Sequence, residues 1–208
     1  MGARHAFQTN HQNQPRQRCW IGRGFRDRGI QREIILEHVR HHQENTMGLH
    51  EQLQQRHEQE TPVRVGVIGA GKFGTMFLAQ VQRIPGIHVV GVADLRVDVA
   101  KSNMAYSGWP AEQMEATSLD AADQSGATFV GPDAMELINH ISLDIVIECT
   151  GNPVIAVDHA LAAFASGKHV ISATVEADAV CGAALVARAK AAGVVYSQAY
   201  GDQPAITV

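Results

Sequence analysis

Val65-Gly66-Val67-Ile68-Gly69-Ala70-Gly71-Lys72-Phe73-Gly74 decides how the rest of the chain is read. Residues 63–68 form a short apolar run of the kind a buried parallel strand needs. The glycines follow at once, and a helical stretch then runs to about residue 83. Strand, glycine loop and helix in this order make a GxGxxG loop informative, because the same spacing alone is weak. Gly69 allows the tight turn, Gly71 lets a ligand's pyrophosphate approach the backbone, and Gly74 permits close packing of helix on sheet. Free N–H groups at the helix start, with their partial positive charge, then face the phosphates. Gly69, Gly71, Lys72, Phe73 and Gly74 are the candidate cofactor-binding residues of this loop.

Alternation of strand and helix continues to the end. Pro85-Gly86 marks a turn, and residues 89–93 read as a second strand ending at Asp94, twenty residues past Gly74. A helix is expected over 96–106, a short one from Ser118, a weak strand at 127–130, and a helix capped by Asp133 that runs to about 140. Strand 144–149, helix 153–166, strand 170–173, helix 178–192 and strand 194–197 complete the pattern. This predicts an α/β fold, a doubly wound parallel sheet of the Rossmann type.

Ligands of such a sheet lie beyond the carboxyl ends of its strands, and that rule sorts the remaining polar residues. Asp94 is placed to accept a hydrogen bond from an adenine-ribose 2′-OH, which favours NAD, or else to cap a helix. Arg96 is placed to pair with a 2′-phosphate, which would admit NADP. Thr150, Gly151 and Asn152 follow strand 144–149 and are candidates for the nicotinamide-side ribose. Glu176, Tyr200 and Asp202 follow the last two strands and are the candidate catalytic groups, Glu176 or Asp202 as general acid or base. Capping or loop-ordering is the alternative for each, and Asp178 is expected to be a cap. Glu148, near the end of a buried strand, needs partners and is a further candidate for a ribose. Cys149 is expected in the core, and His159 packed within its helix or facing solvent. His88 and His140 are expected at turns, and Lys168 and His169 precede their strand and are expected to be structural.

Residues 1–60 are unlike the rest. They hold nine arginines, seven of the 11 histidines and ten glutamines, too few apolar residues to offset the entropy of ordering. Arg16, Arg18, Arg23, Arg26 and Arg28, with Trp20 and Phe25 among them, have the composition of a nucleic-acid-binding segment. The plainer readings are a disordered or partly helical extension over 1–46, or a non-native one preceding a start at Met47. A short helix and linker are expected over 47–62, with Leu49 and Leu53 at i, i+4 spacing, and a dinucleotide-binding domain over 63–208. A net charge of −4 gives no global pull toward nucleic acid or an anionic membrane. No run of 18 apolar residues is present, and three cysteines (Cys19, Cys149, Cys181) suit neither a disulfide framework nor a zinc site. A cytoplasmic protein with no metal, nucleic-acid or membrane partner is expected.

The segments 65–74, Asp144-Ile-Val-Ile-Glu-Cys-Thr-Gly-Asn-Pro153, Gly167-Lys-His-Val170 and Ala199-Tyr-Gly-Asp-Gln-Pro204 resemble homoserine dehydrogenase-like oxidoreductases. More narrowly they resemble the subgroup with a C-terminal SAF domain, which includes deoxyxylulose-phosphate reductoisomerase-like enzymes. That resemblance covers about residues 47–204. It implies an NAD(P) cofactor with NADPH slightly ahead, a small hydroxy- or oxo-substrate such as a sugar phosphate, and a homodimer formed through a second, catalytic domain expected to be missing here. A dinucleotide-binding module without its own catalysis is the alternative. Homoserine dehydrogenases carry an Asn-Lys pair after the strand that corresponds to 170–173. This chain has Thr174-Val175-Glu176 instead, which counts against homoserine oxidation.

Overall fold

A computed structural model describes residues 48–199. Readings that fall on residues 1–46, and those on Tyr200 and Asp202, lie outside the described residues. In chain order the elements are α1 (Leu49–Glu58), β1 (Val63–Ile68), α2 (Lys72–Val81), β2 (Ile87–Ala93), α3 (Val97–Tyr106), a single 3-10 turn (Ala111–Met114), α4 (Leu119–Ser125), β3 (Phe129–Gly131), α5 (Ala134–Asn139), β4 (Ile145–Glu148), α6 (Pro153–Ala165), β5 (His169–Ser172), α7 (Val175–Ala191) and β6 (Tyr196–Gln198).

All six strands are parallel, in the order β3-β2-β1-β4-β5-β6. The order turns back on itself between β1 and β4, and a crevice opens at that switch point in a doubly wound sheet. Ile68 pairs with both Ala93 and Glu148, so the ends of β2, β1 and β4 lie level beneath the crevice. Alternate residues feed two cores, one on each face of the sheet. Val65, Val67, Val92 and Ile147 meet Leu78 and Val81 of α2 and Ala100 and Met104 of α3. Ile68, Val90, Val146 and Val170 meet Leu137 and Ile138 of α5, Ala160, Ala163 and Phe164 of α6, and Leu185 of α7. Leu78, Met104 and Ile138 are wholly buried, each contributing roughly 1.5–3 kcal/mol of apolar transfer.

Between β1 and β2 the register slips by one residue after Val65, leaving Val90 as an inserted residue on β2. A bulge of this kind adds local twist and turns side chains between faces. Here it leaves Val90 and Gly91 facing the same core, with Leu137 and Leu119 pressing close on Gly91.

The helix ends follow from their sequence. Ser118 accepts a hydrogen bond from Ala121 N at the start of α4, and Asp133 accepts from Met135 N and Glu136 N, the cap expected from the sequence. Several boundaries differ. α7 starts at Val175, with Thr174 at its N-cap position, so Asp178 lies inside the helix and is not its cap. Cys181 is non-helical within α7, and the Asp178 carboxylate lies directly over Gly182, where a Cβ would fall 2.3 Å from Asp178 Oδ1. His88 belongs to β2 rather than a turn, and its Nε2 pairs with Ala127 O at 2.8 Å. α1 forms as expected but buries none of its residues. The Leu53 carbonyl lies over Gly86 so closely that a Cβ there would be 2.0 Å away.

Among the described residues no helix is long and apolar enough to cross a membrane, and no group of three or more His, Cys, Asp or Glu could hold a metal ion.

Candidate functional site

The glycine loop joins β1 to α2, and each of its glycines has a different surrounding. Gly69 has φ +94°, a left-handed conformation that other residues rarely adopt. The backbone of Cys149, past the end of β4, lies against it, 2.8 Å from where a Cβ would stand. At Gly74 a Cβ would lie 2.1 Å from the Gly69 carbonyl oxygen, so α2 could not pack this close to the loop with any larger residue. Gly71, the N-cap of α2, faces open space. Lys72 begins the helix and is exposed, and Phe73 is half-buried.

Asp94 holds this loop from the neighbouring strand. Its Oδ2 accepts from Ala70 N and its Oδ1 from Arg96 N, both at 2.9 Å. Arg96 itself, exposed, is the N-cap residue of α3.

A cavity of about 820 Å³ opens above the ends of β1, β2 and β4. Among its walls are Gly69, Gly71, Asp94, Arg96, Thr150 and Asn152, six of the ten residues singled out for a cofactor. Lys72, Phe73, Gly74 and Gly151 are not part of the lining. Cys149, Asp133, Leu95, Met135, Ile155 and His159 line it as well. Leu95 is 90% exposed and Met135 43% exposed, so the rim beside the two aspartates is apolar. Only Ile155 and His159, spaced i, i+4 behind the Asn152 cap, carried a signal in the sequence that they share one helix face.

Below the cavity lies a buried acid. Glu148, 1% exposed, accepts at Oε1 from Thr150 N at 3.1 Å and from the Thr150 hydroxyl, and at Oε2 from Thr174 Oγ1 at 2.5 Å. Thr174 Oγ1 in turn accepts from Gly151 N at 3.1 Å, and Thr150 Oγ1 from Asn152 N at 3.2 Å. The carboxylate therefore ties the β4–α6 loop to the β5–α7 loop. It is not part of the cavity wall and is buried beneath it, so it does not extend toward a ribose there. Burial pushes the Glu148 carboxyl up, and the approach of His159 together with hydrogen bonds from Thr150 and Thr174 outweighs that, leaving it below the ordinary carboxylate range.

His159 is neither simply packed nor facing solvent. It is 8% exposed, its Nδ1 has no hydrogen-bond partner, and that atom stands 3.7 Å from Glu148 Oε1. Cys149 is half-buried, with its thiol pushed up to about 12 by burial and by the adjacent Glu148 charge, so it stays protonated and is no nucleophile. Asn152 caps α6, its Oδ1 accepting from Val154 N at 3.1 Å and Ile155 N at 3.3 Å, with Pro153 at the first helical position. Glu176 lies exposed in the first turn of α7 and is not part of the cavity wall. Lys168 is structural as expected, its Nζ donating to Ile141 O at 3.1 Å and Leu143 O at 2.7 Å.

A parallel sheet with a crevice at its switch point, a glycine loop under a helix N-terminus and an acid at the end of the second strand defines a nucleotide-binding α/β domain. Residues 69–198 match the family described as the NAD-binding domain of homoserine dehydrogenase. The chain belongs to that family. No curated protein matches it. Among solved structures it is similar to a homoserine dehydrogenase from Thiobacillus denitrificans, at 25% identity and TM-score 0.52, over 66% of this chain and 29% of that one. It is also similar to a Klebsiella pneumoniae protein assigned as an oxidoreductase (18% identity, TM-score 0.51, 65% of this chain and 33% of that one). A third is a protein of gentamicin A biosynthesis solved in complex with NAD (20% identity, TM-score 0.47, 66% and 34%). The chain thus spans about a third of the length of these relatives.

Proposed function

We propose that the cavity above β1, β2 and β4 holds a nicotinamide adenine dinucleotide, and that the chain is the cofactor-binding part of an oxidoreductase acting on a small hydroxy- or oxo-compound. The observation that carries this is Gly71. At the mouth of α2 its Cβ position is open space on the wall of the cavity, whereas Gly69 and Gly74 are glycines because backbone crowds them. No packing demand explains a glycine there, and a pyrophosphate drawn against the free N–H groups of the helix does.

The other residues fall into place around that anchor. Asp94, fixed by Ala70 N and Arg96 N, retains lone pairs for a ribose hydroxyl. Asp133 adds a second carboxylate to the same cavity, against the single cation Arg96. Two carboxylates disfavour a 2′-phosphate, so NADH is placed ahead of NADPH, reversing the weight that the family resemblance lends to NADPH. Exposed Leu95 and Met135 offer apolar surface to a base. Gly151, at φ +68°, and Thr150 shape the loop toward the nicotinamide end.

The bound nicotinamide supplies or accepts the hydride; the chain's own residues bind and orient it. Glu176, Tyr200 and Asp202 remain the proposed catalytic groups, Glu176 or Asp202 as general acid or base. Glu176 would have to be met by substrate from the exposed start of α7. A sugar phosphate of the reductoisomerase kind remains the narrower substrate reading, since Thr174-Val175-Glu176 offers no lysine for homoserine. Substrate selection would rest with the longer protein, as would assembly into a homodimer.

Fluorescence or calorimetric titration of NADH and NADPH into the 208-residue chain tests the reading. Saturable binding that Gly71→Val weakens at least tenfold supports it; equal affinity in the variant refutes the loop assignment.

A further inference from the structure

Glu148 and His159 form a pair that the cofactor reading leaves without a task. Four features set it apart from ordinary core polarity. The acid is almost wholly buried and carries its charge on hydrogen bonds from Thr150 and Thr174. The histidine is 8% exposed, yet among the described residues its Nδ1 has no hydrogen-bond partner. That nitrogen stands 3.7 Å from Glu148 Oε1, within ion-pair range but outside good hydrogen-bond length. His159 is also part of the wall of the cavity. A buried donor or acceptor left unpaired costs free energy, and the Glu148 carboxylate is an acceptor within ion-pair range of that nitrogen.

We propose that His159 takes up one proton from solvent when an anionic dinucleotide enters the cavity, and that Glu148 holds the resulting imidazolium through Nδ1–H. This rests on the cofactor reading above. A dinucleotide brings negative charge into a cavity whose walls already include Asp94 and Asp133, with Arg96 as the opposing charge. Directly beneath lies Glu148. Added negative charge favours the protonated form of a nearby imidazole, and histidine is the side chain whose ordinary titration falls near neutrality. The other ionisable groups around the pair do not compete for that proton. Cys149 keeps its own proton, its thiol pushed up to about 12, and Tyr196, behind Glu148 with Asp178 and Cys181, is pushed up by burial and stays neutral. Asp158, on α6 itself, is exposed.

The consequence is a cofactor affinity that falls as pH rises through the histidine range, by up to about tenfold per pH unit where one full proton is linked. The test is calorimetric titration of NADH into the full chain at pH 7.5, in two buffers of different ionisation enthalpy. A buffer-dependent enthalpy that corresponds to net proton uptake supports the proposal. It gains further support if the uptake disappears in His159→Gln while NADH still binds and the thermal unfolding transition persists. Binding with the same enthalpy in both buffers overturns it, as does uptake that persists in His159→Gln. Should the variant fail to fold, the wild-type Kd measured from pH 6 to pH 9 decides: a flat profile overturns the proposal. Failure of NADH to bind at any pH would instead sink the cofactor reading itself.

Discussion

Asp94, just past the end of β2, reaches across to the glycine loop after β1 and accepts the Ala70 backbone N–H at 2.9 Å. One carboxylate thus does two things. It fixes the turn over which a dinucleotide would lie, and it presents charge to the cavity where the adenine ribose would stand. Asp94→Ala removes both, since no other side chain accepts from Ala70 N or Arg96 N. Hydrogen bonds to a charged group contribute about 1.5–3 kcal/mol, so NADH affinity is expected to fall by at least about tenfold. NADPH should lose less, because a repulsion is removed along with the contacts. The ratio of the two dissociation constants, measured on one preparation, checks this, and an unchanged ratio would reduce Asp94 to a loop anchor.

Gly74 and Gly71 should respond oppositely to the same change. Gly74→Ala drives a methyl to 2.1 Å from the Gly69 carbonyl oxygen, a backbone atom that cannot rotate away. Overpacking of this kind costs about 1–3 kcal/mol, read as a lower urea midpoint. Gly71→Ala meets nothing and has an extended backbone at φ −74°. Its stability should stay within about 0.5 kcal/mol of the wild type, with the loss confined to NADH binding. If Gly71→Ala unfolds the chain, Gly71 serves packing and not a ligand.

Local chemistry explains why so much of the fold was legible. Parallel strands buried on both faces read as unbroken Val and Ile runs, and Ser118, Asp133 and Pro153 each announce a helix start by a hydrogen bond or a fixed φ that depends only on near neighbours. The errors arose where distant residues decide. α7 starts three residues before the expected point, after a Thr174 whose hydroxyl bonds Glu148 on a strand 26 residues earlier. The Thr150–Asn152 loop, read from the sequence as a candidate for the nicotinamide-side ribose, does line the cavity through Thr150 and Asn152, but its internal bonds are not legible locally. Its hydroxyl also donates to Glu148, and its amide oxygen also caps α6. His159 could be placed on the face of Ile155 by spacing, but nothing local shows that its Nδ1 meets a buried acid. Glu148 gave the one usable hint, since a carboxylate in a buried strand must find partners.

The same acid makes stability depend on pH in a defined direction. Its folded-state carboxyl lies below the ordinary value of 4.5. The unfolded chain therefore binds the proton first on acidification. Stability from Glu148 is fully present above pH 4.5 and is lost as pH falls through the lowered folded value. Urea unfolding from pH 7 downward should show a midpoint that declines below about pH 4.5, and Glu148→Gln should flatten that decline while lowering the midpoint at pH 7. A decline of equal steepness in the variant would assign acid sensitivity to other carboxylates.

Asn152 separates the helix from the ligand. Its Oδ1 accepts from Val154 N and Ile155 N, and removing such a cap costs about 1 kcal/mol. Asn152→Ala should therefore lower the unfolding midpoint. Asp caps as well as Asn does, so Asn152→Asp should keep that stability and place a carboxylate on the cavity wall where Asn152 now stands. If dinucleotide phosphates approach this wall, the new charge repels them, and NADH affinity falls severalfold at low ionic strength with recovery as salt screens it. Thermal unfolding and NADH titration of the two variants, side by side, give a crossed result: Ala affects folding more than binding, and Asp affects binding more than folding. NADH affinity in Asn152→Asp equal to that of the wild type at low salt would move the phosphates away from the start of α6.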